Sequence, residues 1–511
     1  MAVNFAQKPE SIAPDRFMLV GVAFMALTAI VALFFLAVAN GALDAYPYLF
    51  LLPWIFGLAI VMAIPAAILH YQGKFSFADP LIFATWSYFF PAFVIGGVFL
   101  ASGWSQPYFL EFIQDPKYNL PLTIVLVALG FGGLSLGYLL PIGEKVGSMI
   151  ERILPKAEHP IGSYGIPGIA LLIIGIFNTI AAFAMGLFGY QRANEINSYD
   201  GLIYVTTIFW TQGSFLLWNV LFRQRRLTIL NIVILVLLVT TAVSKSLFAG
   251  NRGNLLATFI IVALAYVLAG RQLKVKQTVG AGMVLSLFLV VGMIYGTTFR
   301  IIKGSEDTQG VSGYADNIVQ TLDQVSRKDT VDLLQFSFSS MTERIDIVST
   351  LGVVVSNYEE LAPYEEAYGL DNNIWQDLTT FFIPRIIWKD KPYASNPRKY
   401  GDLYFNYGDS AFAITPIGDL LRNFGIIGVP IGMFVLGLIL RIIYRTLVEN
   451  QPLIIWRTTL YFMLLLAVSY ESFYGTMIPF LVKGGFTAAL GILFVNFLAK
   501  RMSRPDEALR A

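Results

Sequence analysis

Cysteine is missing from this chain of 511 residues, and histidine occurs only twice, at His70 and His159. The first absence excludes disulfides, thiolate zinc sites and cysteine-held iron–sulfur clusters, and it leaves the redox compartment unread. The second makes a histidine-built metal centre a poor fit. Charge is scarce too: charged residues make up 13% of the chain, where a soluble domain carries about a quarter. With 35 basic and 33 acidic residues the net charge is +2, so no global field points to nucleic acid as a partner. No Walker A loop, His-Glu-x-x-His pair, Gly-x-Ser-x-Gly elbow or dinucleotide fingerprint is present. Nor is there an Asp-x-Asp pair of the kind a metal-dependent nucleotide-sugar transferase carries. Chemical energy must therefore arrive in the substrate, or the protein moves a solute down a gradient.

What the chain has instead is apolar length. It is 56% hydrophobic, with a mean hydropathy of +0.66, which reads as an all-α polytopic membrane protein. Apolar runs fall near 17–39, 48–70, 80–101, 121–143, 165–188 and 201–222, then near 228–244, 255–270, 279–299, 424–441, 455–470 and 477–498. About twelve transmembrane helices are expected. The first run lacks a small-residue cleavage motif and reads as an uncleaved span. Nine spans occupy 1–299, a large, partly helical extracytoplasmic loop occupies 300–423, and three spans with a cytoplasmic C-terminus occupy 424–511. No internal repeat of the inverted-transporter kind is visible.

Basic residues set the expected orientation. Lys74, the group Lys145/Arg152/Lys156, Arg223/Arg225/Arg226, Arg271/Lys274/Lys276, Arg441/Arg445 and Lys500/Arg501/Arg504 share one side if the N-terminus is cytoplasmic. Both termini are then cytoplasmic and the 300–423 segment faces outward. On this reading Arg223-Gln-Arg-Arg226 is a topology signal, and His70 and His159 lie on the cytoplasmic side, away from any outer chemistry.

Within the insert, Ile345, Val348, Leu351 and Val355 recur at helical spacing. That run is too short to cross a bilayer and predicts a helix at the interface or packed on the bundle. Residues 357–378, rich in acids, Tyr and Asn, read as a solvated segment. Residues 381–408, dense in Pro, Gly, Trp and Tyr, read as an ordered loop. The aromatic content of 14% suits sugar stacking and membrane-interface belts equally.

The most specific local feature is Phe248-Ala-Gly250-Asn251-Arg252-Gly253-Asn254, a tight outer turn opening a helix. Its glycines let backbone N–H groups converge, the helix N-terminus adds partial positive charge, and Arg252 adds a two-pronged donor with Lys245 nearby. Such a turn suits phosphate or diphosphate; the alternative is a plain glycine turn with Arg252 reaching lipid headgroups. Arg192, Arg300, Arg385 and Arg422 fall at the same outer depth, against the positive-inside tendency, and together suggest an anionic ligand at the outer leaflet. Singly, each fits a headgroup or ion-pair role, and Asp419 and Arg422, three apart on a helix, are placed to pair. If glycosyl chemistry occurs, an acceptor hydroxyl needs a base. Glu471, in Tyr470-Glu-Ser-Phe-Tyr474-Gly, and Asp419 are the candidates, with Glu195, Asp346, Asp390 and Asp409 as competitors.

Three stretches carry a resemblance. They are Gly250-Asn-Arg252-Gly253-Asn-Leu-Leu, Phe382-Ile-Pro-Arg385-Ile-Ile-Trp388-Lys-Asp390-Lys391-Pro392 and Thr415-Pro-Ile-Gly418-Asp-Leu-Leu-Arg-Asn423-Phe424-Gly425-Ile-Ile-Gly428. With the layout, they resemble bacterial O-antigen and exopolysaccharide repeat-unit polymerases of the Wzy type, within the group that includes O-antigen ligases. The resemblance implies a GT-C-like helical fold in the cytoplasmic (inner) membrane, acting without cofactor or metal on undecaprenyl-diphosphate-linked oligosaccharides. It also implies a chain-length regulator and a flippase as partners, besides the lipid bilayer. Arg252 is the arginine expected at the diphosphate, joined by Arg385 and Arg422. Ligases of this group place a functional histidine in the large loop, and this chain has none there. A ligase-like transferase and a transporter or flippase of a lipid-linked glycan are the alternatives; a transporter would carry charges deep in its spans, where Lys483 and the helix-end Arg300 are the few in view.

Overall fold

The computed structural model describes residues 46–508 except 157, 186–202, 204, 225–227, 250–251, 272–274, 304–309, 328–329, 385–386, 390, 393 and 409–411. Among these residues the chain is helical throughout, with no strand. The first nine helices are α1 (Leu49–Tyr71), α2 (Pro80–Ala101), α3 (Pro116–Leu139), α4 (Pro141–Ile153), α5 (Ile161–Ala184), α6 (Ile208–Arg223), α7 (Ile229–Ala249), α8 (Arg252–Leu268) and α9 (Val275–Lys303). The insert folds as α10 (Gly310–Arg327), α11 (Thr330–Ile345), α12 (Ile347–Tyr368), α13 (Asn373–Thr380) and α14 (Pro397–Phe405). The chain closes with α15 (Thr415–Leu447), α16 (Ile455–Ala467) and α17 (Tyr474–Ala508).

Among the described residues, seven helices are long and apolar enough to cross a membrane: α1, α2, α3, α5, α7 over Ile229–Ser246, α15, and α17 over Tyr474–Ser503. The apolar stretch Leu256–Leu268 of α8 and the whole of α16 are shorter. The run expected near 201–222 forms the 16-residue α6, and that near 279–299 lies inside the 29-residue α9. The run near 17–39 lies outside the described residues.

Lipid tails are as apolar as leucine, so helices in a bilayer associate through close packing rather than water exclusion. The α3–α15 pair shows how this sequence arranges it. A Cβ at Gly133 would strike the Pro430 carbonyl, one at Gly137 the Phe434 carbonyl, and one at Gly437 the Leu134 carbonyl. The two backbones therefore touch, running in the same direction. Gly143 and Gly147 of α4 extend the contact along the Arg441 and Arg445 side chains.

Those arginines mark one end of the bundle. Arg441 pairs with Glu144 at 2.9 Å and Glu449 at 2.8 Å, and Lys74 reaches both carboxylates at 3.7 Å. The Arg441 hydrogen bond holds the Glu144 carboxyl below its usual range. Arg223 pairs with Glu158 at 3.4 Å, and Glu158 also accepts from the Ile455 N–H. Connections read from the sequence as sharing one side are thus in contact.

The insert lies at the opposite end. Its α12 buries Val348, Leu351, Val354 and Val355 in the main core, with Gly352 against Leu120 of α3. Asp346 caps α12, accepting from the Ser349 N–H at 3.0 Å and from Ser105 Oγ at 2.8 Å; burial pushes its carboxyl up to about 6. Residues 381–408 are more than a loop, since Pro397–Phe405 is helical. Asn396 starts that helix by accepting from the Arg398 and Lys399 N–H groups, with Pro397 at its first position.

Gly137→Leu should lower stability by at least about 1–3 kcal/mol through overpacking against backbone, while Gly132→Leu, whose Cβ meets open space, should leave it within about 0.5 kcal/mol. Thermal melts of the purified protein in detergent check the pair, and equal melting temperatures would refute the contact.

Candidate functional site

At the insert-bearing end, the turn between α16 and α17 carries Val468-Ser-Tyr470-Glu471-Ser-Phe473. Aromatic contacts pin it on both sides. Tyr470 stacks on Tyr88 at 5.6 Å and meets Phe89 edge-on at 5.1 Å, while Phe473 meets Tyr400 of α14 edge-on at 5.8 Å. Tyr88 and Phe89 belong to a π-helical stretch of α2, Thr85–Ile95, where the wider winding lets Pro91 sit mid-helix without an N–H to give. The Tyr88 hydroxyl is buried and has no hydrogen-bond partner among the described residues. Glu471 projects from this turn, 45% exposed, and Arg344 from the end of α11 donates to it at 2.6 Å.

Beneath the turn runs a buried polar network, which begins on α15. Gly425 holds φ 66° and ψ −168°, a combination open to glycine alone, and so splits α15 into a short leading segment and the long span. Asp419 and Arg422 stand on the leading segment, three residues apart, 3.5 Å between Oδ1 and Nη1, both side chains fully buried. Asp419 accepts from the Asn373 side chain at 3.0 Å and from the Gly475 N–H at 3.1 Å. The second bond satisfies one of the unpaired donors that every helix N-terminus exposes, here that of α17. Asn373 also donates to Ser395, which in turn donates to Asp377. Burial pushes the Asp377 carboxyl up, against the pull of Ser395 and of the Lys391 and Lys483 charges.

Arg422 faces the insert. Its Nε donates to Glu365 of α12 at 2.6 Å, its Nη2 to the Leu370 carbonyl at 3.2 Å, and its guanidinium lies 5.6 Å over Tyr404 and 5.7 Å over Tyr400. Tyr404 donates to the same Glu365 oxygen at 2.7 Å. The segment 357–378 is therefore not simply solvated: Glu365 and Asn373 are buried because Arg422 and Asp419 supply the partners that burial of such groups requires.

Of the residues singled out in the sequence, the structure brings one pair together. Asp419 joins Arg422, sealed from solvent, and Glu471 stands at the surface on the same turn system. Lys245 of α7 places its ammonium 5.1 Å over the Trp210 ring. Arg252 and Gly253 open α8, directly after Asn251, which lies outside the described residues. Arg300 lies in the last turn of α9, exposed. Arg192, Arg385, Glu195, Asp390 and Asp409 lie outside the described residues. Sequence reasoning passed over Arg344, Glu365, Asn373, Asp377 and Ser395. The only local signal for any of them was the polar spacing Asn373-Ile-Trp-Gln-Asp377 on a short helix. Among the described residues no group of three or more His, Asp or Glu gathers within reach of a metal ion.

Residues 180–450, more than half of the chain, match a family whose description is a domain of unknown function (DUF8712), and the chain belongs to that family. No curated protein and no solved structure matches it.

Removing one member of the buried pair leaves the other charge unpartnered, which costs about 3–5 kcal/mol. Arg422→Met, which strands both Glu365 and Asp419, should cost at least that much; Glu365→Gln, which leaves Asp419 beside Arg422, should cost less; and Arg422→Met with Glu365→Leu should recover the Glu365 share of the loss, with Asp419 staying uncompensated. Melts of the three variants check this; additive losses in the double variant would contradict it.

Proposed function

We propose that this chain polymerises undecaprenyl-diphosphate-linked oligosaccharide repeat units in cell-surface polysaccharide synthesis, whether O-antigen, exopolysaccharide or capsule. On this reading it is a GT-C-like glycosyltransferase of the cytoplasmic membrane, with about twelve spans, both termini cytoplasmic and the insert facing outward. The observation that carries the proposal is the half-exposed Glu471–Arg344 pair on an aromatic-pinned turn, at the bundle end opposite the basic connections. A carboxylate at a solvent-reached edge, held in place and beside a guanidinium, is what glycosyl transfer from a diphosphate needs.

Glu471 takes the proton of the acceptor hydroxyl as the hydroxyl oxygen bonds to the anomeric carbon of the donor sugar. The bond from that carbon to the diphosphate oxygen breaks, and undecaprenyl diphosphate leaves with the electron pair. Diphosphate is a good leaving group already, so arginines suffice to stabilise the developing charge. Arg344 stands nearest the base, and Arg252, Arg300, Lys245, Arg192 and Arg385 are the further cations assigned to the diphosphate and its approach, with Asn251 and Gly253 shaping the turn that presents Arg252. Asp419 and Arg422, sealed from solvent, act on the reaction by holding the Glu471 turn and the insert in register. The lack of a histidine in the insert favours this reading over the alternative, a ligase-like transferase.

Purified full-length protein in vesicles, given a lipid-diphosphate-linked repeat unit and a chelator, should yield a product ladder. Glu471→Gln should slow it about 10²–10⁴-fold, the usual share of general-base catalysis, with its melting temperature unchanged. A ladder formed by Glu471→Gln at the normal rate would remove the base assignment. Labelled lipid crossing the bilayer with no ladder would replace the polymerase by a transporter.

A further inference from the structure

Two clefts flank the 3-10 turn Tyr108–Phe112 at the insert-bearing end, and Glu111 lines both. The first, about 420 Å³, lies between the start of α1 and the segment after α2, lined by Tyr46, Tyr48, Gln106 and Tyr108. The second, about 360 Å³, lies between that turn, α12 and α14, lined by Gln114, Asn357, Tyr404 and Asn406. We infer that the two form one groove that binds an uncharged stretch of glycan, the polymer next to the reacting end. The inference rests on the polymerase reading for the identity of the glycan.

The lining chemistry selects the ligand. Among the described residues neither cleft is lined by Lys or Arg, which does not suit a diphosphate. Tyr46 and Tyr108 are 45% and 49% exposed, offering ring faces on which the C–H face of a pyranose packs. Glu111, Gln106, Gln114, Asn357 and Asn406 supply carboxylate and amide groups, which accept from and donate to neighbouring sugar hydroxyls. A lipid tail would offer the exposed Glu111 carboxylate no hydrogen-bond donor.

The groove is also held in shape before any ligand arrives. Tyr108 donates to the Phe405 carbonyl at 3.0 Å, Gln114 to Asn357 at 3.1 Å, and Asn357 to the Phe112 carbonyl at 2.9 Å. Fixed side chains spare the ordering cost that weakens binding by mobile ones. Tyr404 then links the second cleft to Glu365 and Arg422, hence to Asp419 and the start of α17, just after Glu471. Groove and proposed reacting carboxylate are thus parts of one connected framework.

The test uses full-length protein in nanodiscs and, as probe, the oligosaccharide released from the lipid-diphosphate-linked repeat unit by mild acid. Saturation-transfer NMR should show it binding to the native protein and to Glu471→Gln. Tyr46→Ala/Tyr108→Ala/Glu111→Ala should lose at least about tenfold in affinity, and Glu111→Lys, a single surface change, should lose binding with an unchanged melting temperature. In the ladder assay both variants should shorten the product. Native-like binding by both variants, or no binding by the native protein, would overturn the groove. A native protein that forms no ladder yet binds the oligosaccharide in a Glu111-dependent way would keep the groove and remove the polymerase. A ladder whose length and binding ignore both variants would do the reverse.

Discussion

The buried guanidinium of Arg422 is the constraint on which the insert-bearing end of this molecule depends. One edge hydrogen-bonds Glu365 of the insert, the other faces Asp419, and Asp419 in turn holds the first turn of α17. Three segments far apart in sequence are thereby fixed at one point. Such a pair adds little stability, because taking both charges out of water offsets most of their attraction. What it supplies is register: the pair is satisfied in one arrangement of insert, α15 and α17, and displacing any of the three leaves a buried charge alone. The Glu471 turn, immediately before α17, inherits that precision, and the Tyr470 and Phe473 rings hold it laterally.

The opposite end solves the same problem by different chemistry. Lys74, Glu144, Arg441, Arg445 and Glu449 link α1, α4 and α15 through a partly exposed ion network. Between the two ends, glycine lets α3 and α15 touch along their backbones. Close packing and ion pairs thus tie the bundle together along its length, and a supported frame is what allows a surface turn to present a carboxylate in a fixed direction.

Much of this was legible in the sequence where the governing physics is local. Apolar runs mark helices because each buried backbone group must pair within its own segment, and seven of the expected runs coincide with span-length helices. The spacing of Asp419 and Arg422 predicted their pairing because i and i+3 share a helix face. Basic connections predicted which helix ends lie together. Other features were not legible because their causes are far away in the chain. Glu365 and Asn373 look solvated beside other acids and amides, and only the fold supplies Arg422 and Asp419 to them. Arg344 reads as one charge on a polar helix, and its partner lies 127 residues on. The break at Gly425 is hidden in an apolar run, since glycine within a span usually marks packing. Helix α14 sits among prolines and glycines that suggest a loop, and its start is set by Asn396 and Pro397 together.

On the polymerase reading the chemistry belongs to the insert-bearing end, and that end faces away from the cytoplasm. A chain with no native cysteine allows that to be read directly, by labelling single cysteines in intact cells with a membrane-impermeant maleimide. Arg398→Cys, exposed on α14, should label without permeabilisation, and Lys156→Cys, exposed beyond α4 at the basic end, should label only after it. Labelling in the reverse order would place Glu471 on the cytoplasmic side, away from the outer-leaflet glycan that the polymerase reading requires, and would contradict that reading.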